Sequence, residues 1–272
     1  MKILKSWILP FIVSVALVLI LHPLINQVIA QEDSLREALV NGEVQVGTEV
    51  GNNGFMQIYY DIEGNKTYIT NINYSNSDPI IDGEYITWTG QSTGGAWQVF
   101  LYNILTKTTI QLSSSSNNTN PNISDGKIVW EGWVSGVLPA QSGWQIFFFD
   151  GKSVRQLTSG DLSMNPEIAG DFISYGRQDI TGTWRGVVYS ISRGMAKDIT
   201  TGLASQKPII RKGKIILMGD GEEEFPLTAE DLFLLDLQPL SSDEPETVTQ
   251  EEIREELTAT PSAETTNIQT QE

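Results

Sequence analysis

Apolar and polar residues alternate along most of this chain in short runs, separated by Gly, Asn, Asp and Ser, and the runs recur as sets. The clearest set begins at Pro79. Pro79-Ile80-Ile81 opens a strand, because proline is tolerated at a strand's first residue. Asp82-Gly83 is a two-residue hairpin signal, since a type I′ turn needs positive φ at both positions. Tyr85-Ile86-Thr87-Trp88 is a second strand, Thr89 to Ala96 a Gly-rich loop, Trp97 to Asn103 a third, aromatic-rich strand and Lys107 to Leu112 a fourth.

The frame repeats at about 43 residues. Pro79, Pro121, Pro166 and Pro208 lie 42, 45 and 42 apart, and the turn glycines Gly42, Gly83, Gly126, Gly170 and Gly213 lie 41, 43, 44 and 43 apart. A third unit reads Ile123, Asp125-Gly126, Ile128-Val129-Trp130, Trp144 to Phe149, Ser153 to Leu157; a fourth reads Ile168, Gly170, Phe172 to Tyr175, Trp184 to Ile191, Ala196 to Thr200. The first is more diverged: Leu39-Val40, Asn41-Gly42, Glu43 to Val46, Met56 to Tyr60, Lys66 to Thr70. The fifth has Ile209-Ile210, Gly213, Lys214 to Met218 and Asp231 to Leu237, with no fourth strand before Pro239. Residues 31–38 or Thr247-Val248-Thr249 can supply that strand, or the ring stays open.

No helix-length periodic segment separates the strands, which disfavours a parallel α/β sheet. Four antiparallel strands form one sheet with two apolar faces, and radial stacking buries both. The expected fold is all-β: a β-propeller of about five four-stranded blades over residues 31–240, with units near 39–78, 79–120, 121–165, 166–207 and 208–240.

The run Pro-x-Ile-x-x-Gly, Ile-Val-Trp, Trp-Gln-Ile-Phe, Arg-Gln-Leu-Thr over Pro121 to Thr158 resembles the repeats of TolB-type β-propellers, and Pro79 to Leu112 is close behind. The resemblance covers units two to four well and units one and five weakly. It implies a scaffold fold and an exported binding role, not chemistry. The family usually has six blades against five here, and the extra N-terminal domain of TolB itself has no counterpart in the sequence.

The two ends differ from the repeats. Lys2 and Lys5 precede Trp7 to Leu21, a 15-residue run without charge, and Val28-Ile29-Ala30 offers small or compact residues at a cleavage site before Gln31. Residues 1–30 therefore read as a signal peptide, cleaved or retained as an N-terminal anchor. The retained form is the one predicted membrane attachment, and it places the folded part in the periplasm, at the cell surface or outside the cell. Residues 241–272 are acidic, polar and free of aromatics; with little to bury, they read as a disordered tail.

Composition narrows the chemistry. The chain has no cysteine, and its one histidine, His22, lies in the signal segment. Ser-His-Asp and Cys-His catalysis and the common zinc sites are thereby excluded from the domain. The formal charge of −17 repels nucleic acid and anionic headgroups. No cofactor is expected. The one cation candidate is Ca²⁺ at the acidic run Gly219 to Glu224, whose spacing is not that of an EF-hand.

In such blades the loop between strands two and three leaves on the same end as the linker between blades, so the long, variable segments gather there. Binding favours loops of this kind on a rigid scaffold. The candidate partner-binding residues are Trp133, Val137 and Leu138 in the Glu131–Gly143 segment, Asp179 in Gly176–Thr183, and Asp220 and Glu222 in the acidic loop. Trp133 is either an exposed contact or folds back on its own blade. Trp88 and Trp130, like Trp97, Trp144 and Trp184, recur at matching positions, as packing residues or as stacking platforms for sugar. Paired carboxylates among Asp82, Asp125 and Glu167 are the remaining catalytic option, as in glycoside hydrolysis. The leading expectation is a non-catalytic exported propeller that binds a protein or peptide partner. A glycan-binding or glycosidase module and a structural envelope component are the alternatives.

Overall fold

The computed structural model of the chain describes residues 5–114, 116–136, 142–199, 207–218 and 222–234; the side chains of residues 5–20, 207, 217–218, 222–227 and 234 lie outside that description. The chain divides into two compact units, Met1–Glu230 and Asp231–Glu272. The first carries all the sheets. Of the second, the described part is the end of a short helix, and the tail lies outside the described residues.

Five antiparallel sheets follow one another along the first unit. Sheet one is β1 (Val44–Val50), β2 (Met56–Ile62) and β3 (Asn65–Tyr68). Sheet two is β4 (Asn76–Asp82), β5 (Tyr85–Gln91), β6 (Trp97–Asn103) and β7 (Thr108–Gln111). Sheet three is β8 (Asn118–Ser124), β9 (Lys127–Val134), β10 (Gly143–Phe149) and β11 (Val154–Gln156). Sheet four is β12 (Leu162–Ala169), β13 (Phe172–Gln178), β14 (Trp184–Ser190) and β15 (Met195–Asp198). Sheet five is β16 (Lys207–Arg211), β17 (Lys214–Met218) and β18 (Glu222–Thr228). Each is a meander in chain order, and the first strands β4, β8, β12 and β16 stand beside one another, with β1 beside β4. This is a β-propeller, with the first strand of each of sheets two to five innermost.

One residue network recurs and explains the sequence motif. Gln57, Gln98 and Gln145, buried near the starts of β2, β6 and β10, hold the linker to the next blade: their Nε2 atoms donate to the carbonyls of Ile72, Ser116 and Asp161. The next residue's N–H donates to a hydroxyl just past the outer strand, in the pairs Ile58–Thr70, Val99–Ser113 and Ile146–Thr158. The Thr of Arg-Gln-Leu-Thr is thus a clasp.

A second network fixes the blade interior. Trp88 and Trp130 donate from Nε1 to Asn76 and Asn118 on the inner strands at 3.1 and 3.0 Å, and stack on Phe100 and Phe147. Close approach demands glycine beside them. A Cβ on Gly132 would lie 2.6 Å from the Phe147 ring and 2.7 Å from Asn118 Oδ1. Gly132→Ala is therefore expected to cost about 1–3 kcal/mol, the range for overpacking a tight core, read from urea unfolding midpoints. Sheet four replaces the Trp by Tyr175, whose hydroxyl burial pushes up to about 12.

The structure departs from the sequence expectations in five places. Leu39-Val40 is not a strand but the end of α1 (Lys5–Asn41), so residues 31–38 supply no closing strand. The glycine signal was ambiguous. Gly42, at φ 69, ends a helix rather than turning a hairpin: Glu43 N–H bonds Ala38 C=O and Gly42 N–H bonds Leu39 C=O. Among the described residues sheet one accordingly has three strands, not four, while sheet five has three, lacking the fourth strand that the sequence also lacked.

In sheet five the third strand is Glu222–Thr228, and Ala229–Leu234 is a helix, α2, where a strand over Asp231–Leu237 was expected. Pairing with β17 overrides the low strand propensity of three successive glutamates. Thr228-x-x-Asp231 is a helix-start pattern consistent with α2.

The repeat prolines do not open their strands. Pro79, Pro121 and Pro166 each follow a bulge, where Asp78, Asn120 and Asn165 take φ of 54, 53 and 56, because a residue without an N–H fits where the ladder is broken; Pro208 is the second residue of β16 in an unbroken register. Finally, Trp88 and Trp130 lie mid-strand, not at strand ends.

Candidate functional site

In sheets two to four the hairpins joining second to third strands, and in sheet one the β1–β2 hairpin, lie at one edge. Their closing pairs are Val50–Met56, Gln91–Trp97, Trp133–Trp144 and Gln178–Trp184. Three of the four place a tryptophan at the rim, and the fourth a methionine. Trp133 was expected in a loop; it sits on β9 itself, because the strand runs to Val134. It meets Trp144 edge to face at 5.6 Å and remains 40% exposed. It folds against its own blade and still presents a surface.

Beside Trp133 lies a cavity of about 400 Å³ between the linker after sheet two and the body of sheet three. Ser113, Ser114 and Ser116 form one flank, and Trp133, Phe147 and Val154 the other. Among the described residues no charged side chain lines it, in contrast to so acidic a chain.

Asp179 shapes the neighbouring hairpin of sheet four. Its Oδ1 accepts from Thr181 N–H, Thr181 hydroxyl and Thr183 N–H, and its Oδ2 from Arg185. The Thr181 hydroxyl first, then the two N–H groups and Arg185, hold this carboxyl down at about 2, against the opposing effect of burial. The chemical consequence is a locked turn, and the locked turn carries Ile180, which is 97% exposed. Asp179 is thus placed as the support of an exposed apolar residue, Ile180, which sequence reasoning missed. The signal was there, an isolated apolar residue between Asp and Thr-Gly at a hairpin tip.

The sign of the pH effect follows from the lowered value. Turn stability from Asp179 is full above the ordinary carboxyl value of 3.8 and is lost as pH falls toward about 2. The amides of Thr181 and Thr183 are expected to lose exchange protection in that window before the sheets unfold; Asp179→Ala should show the loss at neutral pH.

The acids considered for catalysis tie blades together. Asp82 Oδ2 accepts from the N–H of Asp125 in the next blade, and Glu167 accepts from Asn122 Nδ2 at 2.6 Å. Glu131, which sequence reasoning passed over, is 5% exposed and bridges the Asn120 side chain and the Asn165 N–H of sheet four. Among the described residues no group of three or more His, Cys, Asp or Glu is placed to hold a metal ion. Val137, Leu138 and Asp220 lie outside the described residues, as does the Glu222 side chain; the Glu222 backbone opens β18.

No known family description matches the sequence, and no curated protein does. Solved structures are similar in part. The chain aligns with the acylaminoacyl peptidase of Pyrococcus horikoshii at 16% identity and a TM-score of 0.49, over 66% of this chain and 34% of that one. With a TolB of Agrobacterium tumefaciens it shares 17% identity and a TM-score of 0.43, over 62% and 67% of the two chains. With the β-propeller domain of the Trilobed protease of Pyrococcus furiosus, described as having an open velcro topology, the values are 17% and 0.46, over 59% and 50%. The chain thus spans about a third of the peptidase and half of the protease domain. The propeller assignment stands on the sheet order and packing described above.

Proposed function

We propose that this chain is an exported propeller that binds a protein or peptide partner through the edge carrying the strand-two to strand-three hairpins. The single observation behind this reading is Ile180. A large aliphatic side chain held almost wholly in water, on a turn fixed by five hydrogen bonds to one carboxylate, contributes nothing to the fold. It is suited to enter a partner's pocket at little entropic cost, because its backbone is already ordered. Trp133 and Trp144 at the same edge supply the aromatic area that binding hot spots favour.

Export is supported by the basic and apolar first 30 residues. The test is capture from the envelope fraction by the full chain and by a Trp133→Ala, Ile180→Asp double variant. A partner retained by the first and lost by the second supports the reading. A partner held equally by both refutes it.

A further inference from the structure

In sheets two to five the strand second in order is flanked on both sides: β5 by β4 and β6, β9 by β8 and β10, β13 by β12 and β14, β17 by β16 and β18. Its counterpart in sheet one, β1, is paired with β2 alone. The inner strand that the repeat calls for is not laid down, because the preceding residues form α1. Leu35, Ala38 and Leu39 of that helix pack among Val44, Ile58, Tyr60, Ile86 and Trp88, in the core shared by sheets one and two. Among the described residues none pairs with the other edge of β1. A seven-residue strand is left with alternate N–H and C=O groups facing the propeller's inner side.

The other sheets show what fits there. Aligning the buried glutamines Gln57 and Gln98 sets Gly47 of β1 at the position of Trp88, and Gln45 and Val46 at those of Ile86 and Thr87. Each of the inner strands β4, β8 and β12 has Asn or Asp at positive φ directly before Pro. The residue after that Pro meets its equivalent in the next blade, as Asn122 meets Glu167. On an added strand that residue would lie beside Ile80, so it should be apolar. The residue after it takes the place of Ile81, which pairs with Ile86; in sheet one it would face the exposed Gln45. The same face of sheet one carries Glu49, bonded to Lys66 and Tyr68, so that residue should be polar. The exposed acids Glu49 and Asp78 nearby favour Asn over Asp before the proline.

We infer that the open edge of β1 docks one extended segment of a partner protein of the pattern Asn-Pro-apolar-polar, which completes sheet one by strand addition. This goes beyond the proposed hairpin-edge binding and uses a different surface. A second copy of the chain is a poor donor, since β4, β8 and β12 are each held in a complete sheet.

The test is amide exchange of the full chain, read by NMR, with the synthetic peptide acetyl-Asn-Thr-Asn-Pro-Ile-Gln-Ser-amide at millimolar concentration. Every second amide of β1 is expected to slow about tenfold or more, with β9 unchanged. The same slowing is expected in the Trp133→Ala, Ile180→Asp variant, which separates this inference from the hairpin-edge reading. A peptide with Asp in place of Ile should leave exchange unaltered. Three results overturn the inference: no slowing with the peptide, equal slowing with the Asp peptide, or β1 amides as slow as those of β5 before any peptide is added.

Discussion

Trp130→Ala should destabilise the protein by about 3–5 kcal/mol, the range for removing a large buried aromatic. Trp130 is 1% exposed, stacks on Phe147 with centroids 5.8 Å apart, and donates to Asn118 Oδ1. Its loss opens a cavity and also removes the donor to the buried Asn118 Oδ1, and the second effect is separable. Trp130→Phe keeps most of the apolar volume and loses the N–H, so it should cost less, about 1–3 kcal/mol. Urea unfolding of both variants gives the two figures. If the two cost the same, the hydrogen bond to Asn118 carries the stability; if Trp130→Ala costs under about 1 kcal/mol, the blade interior is not packed as described.

The second large effect is on binding and leaves the fold intact. Trp133→Ala removes one partner of an edge-to-face pair that is already half in water, so stability should change by about 1 kcal/mol or less. Ile180→Asp removes no packing at all. A hot-spot residue is worth about 2 kcal/mol or more, so each change should weaken the complex roughly 30-fold, and the double variant should abolish its recovery. A circular dichroism melt alongside the binding titration checks that the fold survives.

The repeat was legible because it rests on signals that survive divergence. The Asp-Gly turns, the Ile-Val-Trp strands and the Trp-Gln-Ile-Phe strands each mark one local conformation, and units two to four came through nearly intact. Units one and five were misread where a residue serves two geometries equally well. Gly42 satisfies a helix C-cap as readily as a hairpin, and the Glu222–Glu224 run looks like a solvated loop until β17 pairs with it. The prolines marked the period, yet Pro79, Pro121 and Pro166 stand behind bulges whose positive φ shows only in the backbone.

The site was half legible. Trp133 and Asp179 were found as residue types in long segments between strands. Their roles were not, since these depend on Trp144 across a hairpin and on four groups converging on one carboxylate. Ile180 was missed although Asp-Ile-Thr-Gly marks a hairpin tip, because a lone apolar residue at such a tip can also fold back onto its blade, and only the fold shows that this one does not.

The central claim is that the hairpin edge, with Ile180 and Trp133, is where a partner binds. A photo-crosslinking amino acid placed at position 180, and as a control at Glu63 in a turn at the opposite edge, tests it most directly in cells of the source organism. The account predicts one discrete protein adduct from position 180, lost when Trp133→Ala is added, and none from position 63. The same adducts from both positions, or none from 180, would contradict it.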